Sequence, residues 1–236
     1  MADVSGASAQ LKQLFDRGGL VKIDGLLEPV HAAAAVAAGA DLVGFIFAPA
    51  RRQVTARTAQ TCIAAAREAA AGRAMLAVGV FVDASASEIA EIVGEAGIDA
   101  VQLHGTEQPD FLENLAVPAF KALRPQMNST AAQVTDEIES YRSAAVPPAG
   151  FLIDGYSDKA SGGTGVRADW DLAAQVGAKY PIILAGGLDP GNVRSAIRHV
   201  RPLGVDVSSG VEINGIKDVA RITQFVLAAR AAFAEK

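Results

Sequence analysis

A single (β/α)8 barrel of the α/β class is the fold this sequence predicts, on three observations. Eight short apolar runs recur along the chain, helical segments separate them, and 236 residues suffice for eight such units. Half of the residues are apolar and a fifth are charged, a balance that lets one sizeable core form. A doubly wound sheet is the alternative, but it usually needs fewer strands. The barrel domain is expected over residues 20–236, behind a short N-terminal extension at 1–19.

The elements follow in order. Within the extension, SAQLKQLFDRG (8–18) has the spacing of an amphipathic helix, suited to covering the barrel bottom or a neighbour, with disorder as the other reading. The strand runs are LVKI (20–23), DLVGFIF (41–47), MLAVGVFV (75–82), DAVQLH (99–104), AFKAL (119–123), GFLID (150–154), PIILAG (181–186) and GVDVSS (204–209). They are nearly continuous in apolar character, as parallel strands covered on both faces are. Helices are expected over 30–39, 55–71, 86–97 and 190–200, the first three stopped by Gly39, Gly72 and Gly97. The weakest unit is 128–148, readable as a helix or as a long crossing loop.

Composition narrows the partners. A net charge of -5, with no basic run longer than Arg51-Arg52, argues against nucleic acid and leaves small molecules. A single cysteine, Cys62, excludes an internal disulfide and fits a reducing cytoplasm; it reads as a small apolar residue of a helix. Residues 1–20 lack the cationic and apolar regions of a signal peptide, and no run of 18 apolar residues offers a membrane anchor. His31 and His199 read as surface residues of helices, and Trp170 as a helix anchor. No histidine or cysteine stands at ligand spacing from His104, so no metal is expected.

In a barrel of this kind, chemistry collects where strands end and βα loops begin. Read that way, the strand ends bring together Asp24, Arg51-Arg52, Gln102 to His104, Asp154, Gly186-Gly187 and Ser208-Ser209-Gly210. AGGLDPGN (185–192) and VSSGVE (207–212) follow the seventh and eighth runs, the usual phosphate position of the fold; either loop alone could be a tight turn, whereas together they favour phosphate. Pro190 reads as part of a first helical turn. The glycine-rich run at 161–165 reads as a flap or as plain surface. An aspartate before a glycine is usually a turn former, but Asp24 and Asp154 at two strand ends suit an acid and a base facing one substrate. Arg52 offers a planar fork for a carboxylate or phosphate.

GFIFAPARRQV, VGVFVD, VQLHGTE, FLIDG followed by GGTG and DW, ILAGGLDPGNV, and DVSSGVE followed by GIKD resemble the phosphoribosylanthranilate isomerases of tryptophan biosynthesis, in order and spacing from Val21 to Phe225. The resemblance implies a cofactor-free Amadori rearrangement of N-(5-phosphoribosyl)anthranilate. It assigns the general acid to Asp154, the anthranilate carboxylate to Arg52, an aspartate near the substrate amine to Asp206, and the phosphate to Gly186, Gly187, Ser208, Ser209 and Gly210. His104 matches a pocket histidine of open role. The resemblance breaks at the base, where the family's Lys-Ile-Cys-Gly reads Lys22-Ile23-Asp24-Gly25; smaller departures are Ala50 for a serine and Val166 for a lysine. An unperturbed aspartate, with pKa about 3.9 against about 8.5 for cysteine, is fully ionised yet a weaker base. Related barrels of histidine biosynthesis run a similar isomerisation with two carboxylates, but they carry a second phosphate loop after the third strand, and FVDASASE (81–88) has no glycine pair. Three readings follow: an isomerase with Asp24 as base, a paralogue acting on another N-glycoside or sugar phosphate, and a silent barrel that binds a phosphorylated ligand. A monomer and a homodimer are equally compatible with the sequence.

Overall fold

The computed structural model describes residues 4–155 and 168–235. Eight parallel strands close into a barrel: β1 (Leu20–Ile23), β2 (Leu42–Ile46), β3 (Leu76–Phe81), β4 (Ala100–Leu103), β5 (Ala119–Leu123), β6 (Gly150–Ile153), β7 (Ile182–Leu184) and β8 (Gly204–Val207). β1 pairs with β8, placing Lys22 beside Asp206. That closure removes the open edges a doubly wound sheet would keep.

Helices α1 (Val4–Arg17), α2 (Pro29–Ala38), α3 (Ala56–Ala70), α4 (Ala86–Ala96), α5 (Ala131–Arg142), α6 (Trp170–Gly177), α7 (Val193–Val200) and α8 (Val219–Ala234) accompany the strands. The doubtful stretch at 128–148 holds α5, which opens on a capping box formed by Thr130 and Gln133. Between β4 and β5 the chain makes only a 3-10 helix, Pro109–Asn114. One stop differs from expectation: α3 is capped by Ala71 in the left-handed region (φ 49°), with Gly72 one residue beyond, whereas Gly39 and Gly97 cap α2 and α4 as their freedom at positive φ allows. Pro190 lies ahead of α7 rather than in its first turn. The reason is an interlocked turn in which Asp189 Oδ1 accepts from the Gly191 and Asn192 amides, and Asn192 Oδ1 accepts from that of Asp189.

Alternate strand residues feed two separate cores. Val21, Ile23, Val43, Phe45, Val101, Leu103, Val205 and Val207 face the helices, while Leu20, Leu42, Leu76, Val78, Ala100, Phe120, Leu152 and Ile183 fill the barrel interior. Both sets are buried, so the runs look continuous although the period of two is intact.

α1 completes the lower core. Leu11 and Leu14 are buried in the interior cluster, and Phe15 stacks on Phe120 with ring centroids 5.5 Å apart. Gly150 makes this possible, because a Cβ there would stand 2.5 Å from the Phe15 ring. Asp41, at the start of β2, is fully buried and accepts from Arg17 of α1 at 2.6 Å, from Arg230 of α8 at 2.5 Å and from the Val21 amide at 2.9 Å. The extension is thereby tied to the barrel by apolar packing and by an ion-pair network. Cys62 is buried in α3, and burial pushes its thiol up to about 11, which suits an inert packing residue. His199 is exposed beside Asp171 as expected, but His31 is buried, because it lies in the first turn of α2 where the helix packs on the barrel. Among the described residues no helix is long and apolar enough to cross a membrane.

Truncating a buried leucine should show whether α1 is integral to the core. Leu14→Ala is expected to cost about 2–4 kcal/mol in urea unfolding, against under about 0.5 kcal/mol for the exposed Lys12→Ala. Equal small losses for the two variants would mean that α1 is only laid on the surface.

Candidate active site

The chemistry-bearing residues stand on the upper part of the same inward-facing positions that lower down carry apolar side chains. In β1 the inward order is Leu20, Lys22, then Asp24 just past the strand end, so the lining changes from apolar to charged within two steps of the pleat. Lys22 Nζ donates to Asp206 Oδ1 at 3.2 Å and stands 3.1 Å from Asp24 Oδ1. The second contact is an ion pair without hydrogen-bond alignment, and among the described residues Asp24 Oδ1 has no hydrogen-bond partner. Burial alone would lower the Lys22 pKa, but Asp206 and Asp24 together outweigh it and raise it, so this lysine keeps its charge. Asp206 is pushed up to about 7, first by burial and further by the anions of Asp24 and Asp154, with Lys22 opposing.

Glycines make room for this arrangement. A Cβ on Gly44 of β2 would overlap Asp24 Oδ1, and one on Gly25 (φ 68°) would press on Arg52 Cδ at 2.6 Å and Ser208 Oγ at 2.9 Å. Asp24 is anchored through its backbone as well: its amide donates to Val207 at 2.8 Å and its carbonyl accepts from Ser208 Oγ at 3.2 Å.

On the opposite wall, Asp154 follows β6 and accepts from the Gly155 amide at 2.8 Å through Oδ1. Its Oδ2 lies 3.3 Å from His104 Nε2, in close contact but without hydrogen-bond alignment. His104 Nδ1 pairs with Gln102 Nε2 at 2.9 Å, which orients the ring with its Nε2 edge towards Asp154. The loop bearing His104 is held from below, where Lys121 Nζ donates to Glu107 Oε2 at 2.8 Å and to the Gly105 carbonyl at 2.7 Å.

The two glycine loops meet. A Cβ on Gly210 would overlap the Leu188 carbonyl, and one on Gly186 (φ 88°) would crowd the Gly155 backbone and stand 3.0 Å from Asp154 Oδ1. Asn192 Nδ2 holds the Gly187 carbonyl at 2.8 Å, and Gly187 too has positive φ (64°). Ser209 opens a 3-10 turn, Ser209–Val211, whose start faces the same rim.

Arg52 is buried and bonded bidentately to Glu212, Nε to Oε1 at 2.5 Å and Nη2 to Oε2 at 3.1 Å. Arg51 reaches the same carboxylate at 2.6 Å. Although burial would raise the pKa of Glu212, Arg52, Lys217 and Arg51 together pull it down to about 2.

Every singled-out residue outside the glycine-rich run thus reaches the same end of the barrel: Asp24, Arg52, His104, Asp154, Gly186, Gly187, Asp206, Ser208, Ser209 and Gly210. The run at 161–165, and Val166 with it, lies outside the described residues. Lys22, Gly44, Glu212 and Lys217 join the site unannounced. The signal for Lys22 was its place two residues before Asp24, on the same strand face. For Glu212 and Lys217 it was Asn214-Gly215 between them, a hairpin turn. Among the described residues no group of three His, Cys, Asp or Glu side chains could hold a metal ion.

Residues 21–228 match the model of the family N-(5'-phosphoribosyl)anthranilate (PRA) isomerase. The N-(5'-phosphoribosyl)anthranilate isomerase of Roseiflexus sp. (strain RS-1) is 42% identical over 215 residues, 90% of this chain and 98% of that protein. The phosphoribosyl anthranilate isomerase of Thermotoga maritima is 31% identical and superposes with a TM-score of 0.75, covering 90% of this chain and 98% of its own. A structure of phosphoribosyl anthranilate isomerase in complex with reduced 1-(o-carboxyphenylamino)-1-deoxyribulose 5-phosphate matches with a TM-score of 0.72 at 31% identity, over 90% of this chain and 98% of that one. With a closed barrel, carboxylates at two strand ends and paired glycine loops in the expected order, and with a family match over most of its length, this chain belongs to the N-(5'-phosphoribosyl)anthranilate isomerase family.

Proposed function

We propose that this protein isomerises N-(5-phosphoribosyl)anthranilate to 1-(2-carboxyphenylamino)-1-deoxyribulose 5-phosphate in tryptophan biosynthesis, with Asp154 as general acid and Asp24 as general base. The observation that carries the reading is that these carboxylates rise from two walls of one mouth with different partners, Lys22 beside Asp24 and His104 beside Asp154. Such a difference is what two carboxyls need in order to take opposite roles.

Asp154 gives its proton to the ring oxygen as the C1–O bond breaks and the amine lone pair forms the C1=N bond of a Schiff base. Asp24 then takes the proton from C2; the C2–H electrons form C1=C2 and the C=N electrons return to nitrogen. The enolamine that results tautomerises: C1 takes up a proton, the C2 hydroxyl gives one up, and the C1=C2 and O–H bonds are replaced by C1–H and the C2=O of the ketone. Lys22 counters the negative charge that Asp24 and Asp206 crowd together. We assign the anthranilate carboxylate to Arg52, the substrate amine to Asp206, the side of the pocket next to Asp154 to His104, and the phosphate to Gly186, Gly187, Ser208, Ser209 and Gly210. The partner on this reading is one phosphorylated small molecule. We take residues 1–19 as an extension to one barrel domain, the enzyme as cytoplasmic, and a monomer or homodimer as its working form.

Turnover of N-(5-phosphoribosyl)anthranilate, followed by loss of substrate fluorescence, tests the assignment. Asp24→Asn and Asp154→Asn are each expected to lower kcat/KM by about 10²- to 10⁴-fold, while Asp24→Cys keeps measurable activity. A parent-like rate in Asp24→Asn would remove Asp24 from the chemistry, and an inactive parent revived by Asp24→Cys would make aspartate an incompetent base.

Asp206 gives a pH test. With about 7 in the folded state against 3.8 for the free side chain, the folded protein binds the additional proton between those values. The contribution of Asp206 therefore favours folding at the lower pH and fades as pH rises towards 7. Urea unfolding at pH 5 and pH 8 should show a loss of stability with rising pH that shrinks in Asp206→Asn; an unchanged loss would place the titration on another group.

A further inference from the structure

After β8 the chain forms a hairpin, β9 (Glu212–Ile213) and β10 (Ile216–Lys217), whose polarity is the reverse of what folding alone selects. Asn214 and Gly215 form its turn, both at positive φ (52° and 81°), a geometry that fixes register. Ile213 pairs with Ile216, and Glu212 with Lys217. The isoleucines are 52% and 63% exposed, whereas Lys217 is 6% exposed. Burying the charged pair and exposing the apolar pair costs stability, and a local rule broken this way marks a functional demand.

From the inward pair, contacts run to both ends of the proposed substrate site. Glu212 holds the Arg52 guanidinium through two hydrogen bonds, which fixes its plane, and its Oε1 also accepts from Lys217 Nζ at 3.1 Å. Lys217 Nζ donates in addition to the Ser208 carbonyl at 2.8 Å and to Ser208 Oγ at 3.3 Å. Arg52, Glu212, Lys217 and Ser208 therefore form one unbroken chain of polar contacts, with Gly25 wedged between its two ends. Burial lowers the pKa of Lys217 to about 8, with Glu212 opposing and Arg52 adding to the fall, which still leaves it mainly charged at neutral pH.

We propose that Glu212 and Lys217 are positioning residues that couple the carboxylate grip at Arg52 to the phosphate loop at Ser208, so that an anion bound at either end tightens binding at the other. The proposal rests on the substrate assignment made above for Arg52 and Ser208. It has a distinctive sign. Two anions in independent sites of one pocket repel, and each weakens the other; a shared ion pair that one anion has already ordered makes the second bind more tightly.

The experiment uses the two halves of the substrate, anthranilate and inorganic phosphate, on the intact chain. In the parent, saturating phosphate is expected to tighten anthranilate binding about fivefold, the low end of usual coupling. In Lys217→Met and in the near-isosteric Glu212→Gln the enhancement should fall to about one or below, and KM for the whole substrate should rise while kcat changes little. Lys217→Arg keeps the charge and should keep part of the enhancement; it also provides the comparison if Lys217→Met does not fold. No enhancement in an active parent, or an enhancement undiminished in folded Lys217→Met or Glu212→Gln, would overturn the coupling and leave the isomerase reading standing. A parent that turns over no N-(5-phosphoribosyl)anthranilate and binds no anthranilate would remove the isomerase reading itself, and the coupling with it.

Discussion

Lys22 lies sealed in the barrel 3.1 Å from Asp24 and 3.2 Å from Asp206, a single cation between two buried acids. Taking an isolated carboxylate out of water is penalised so heavily that the group takes up a proton instead. One buried ammonium between two acids partly offsets that penalty, and the residue of it shows in Asp206, held at about 7. The position of Lys22 is not free to vary. It is set by the pairing of β1 with β8, which puts Lys22 beside Asp206, and by the pleat, which returns to the same face two residues later at Asp24. Gly44 on the adjacent strand clears the volume the Asp24 carboxylate needs.

The barrel beneath exists to hold that height. Its lower interior is filled from inside by Leu20, Leu42, Leu76 and Phe120 and closed from below by Leu11, Leu14 and Phe15 of α1. Apolar filling below and charge above divide the work along each strand: packing at the bottom gives stability, and the polar top bears the cost of function. Asp41 shows the distinction within one residue type. It is buried even more fully than Asp24, but it sits at the opposite end of the strands and is satisfied by Arg17, Arg230 and a backbone amide, so it serves the fold.

How much of this was legible in the sequence depended on whether the signal was local. Eight apolar runs with helical spacers gave the barrel directly, and the strand ends named both carboxylates, because position along a strand determines height in a barrel. Lys22 was overlooked for a physical reason: LVKI is buried on both faces, so a lysine in it reads as a flaw in an apolar run unless the period of two is followed to Asp24. Glu212 and Lys217 were hidden differently, since their inward orientation contradicts the polarity that would have predicted it, although Asn214-Gly215 fixed their register. His31 was misplaced because helix periodicity says which face is apolar but not how closely the first turn of α2 approaches the barrel. The Ala71 cap and the Asp189 to Asn192 turn depend on backbone geometry that residue type only biases.

On the proposed assignment, aspartate takes the place of the base and changes the electrostatics of the whole mouth, and the rest of the site has the means to absorb it. A cysteine there would place a thiol beside Lys22 and Asp206, whereas Asp24 brings a second carboxyl group to the same place. Lys22 can face both anions at once because its ammonium has three donors and no preferred plane, which the flat guanidinium of an arginine would lack. Asp206, deeper and flanked by Asp24 and Asp154, is the group whose proton affinity rises to meet the crowding. Asp154 is set apart by another kind of neighbour, an imidazole whose orientation is fixed by Gln102, so the two candidate catalytic carboxylates do not share one environment. On the proposed mechanism, the difference between the Lys22 ammonium against Asp24 and the His104 imidazole against Asp154 is the asymmetry that suits the two carboxylates to opposite roles.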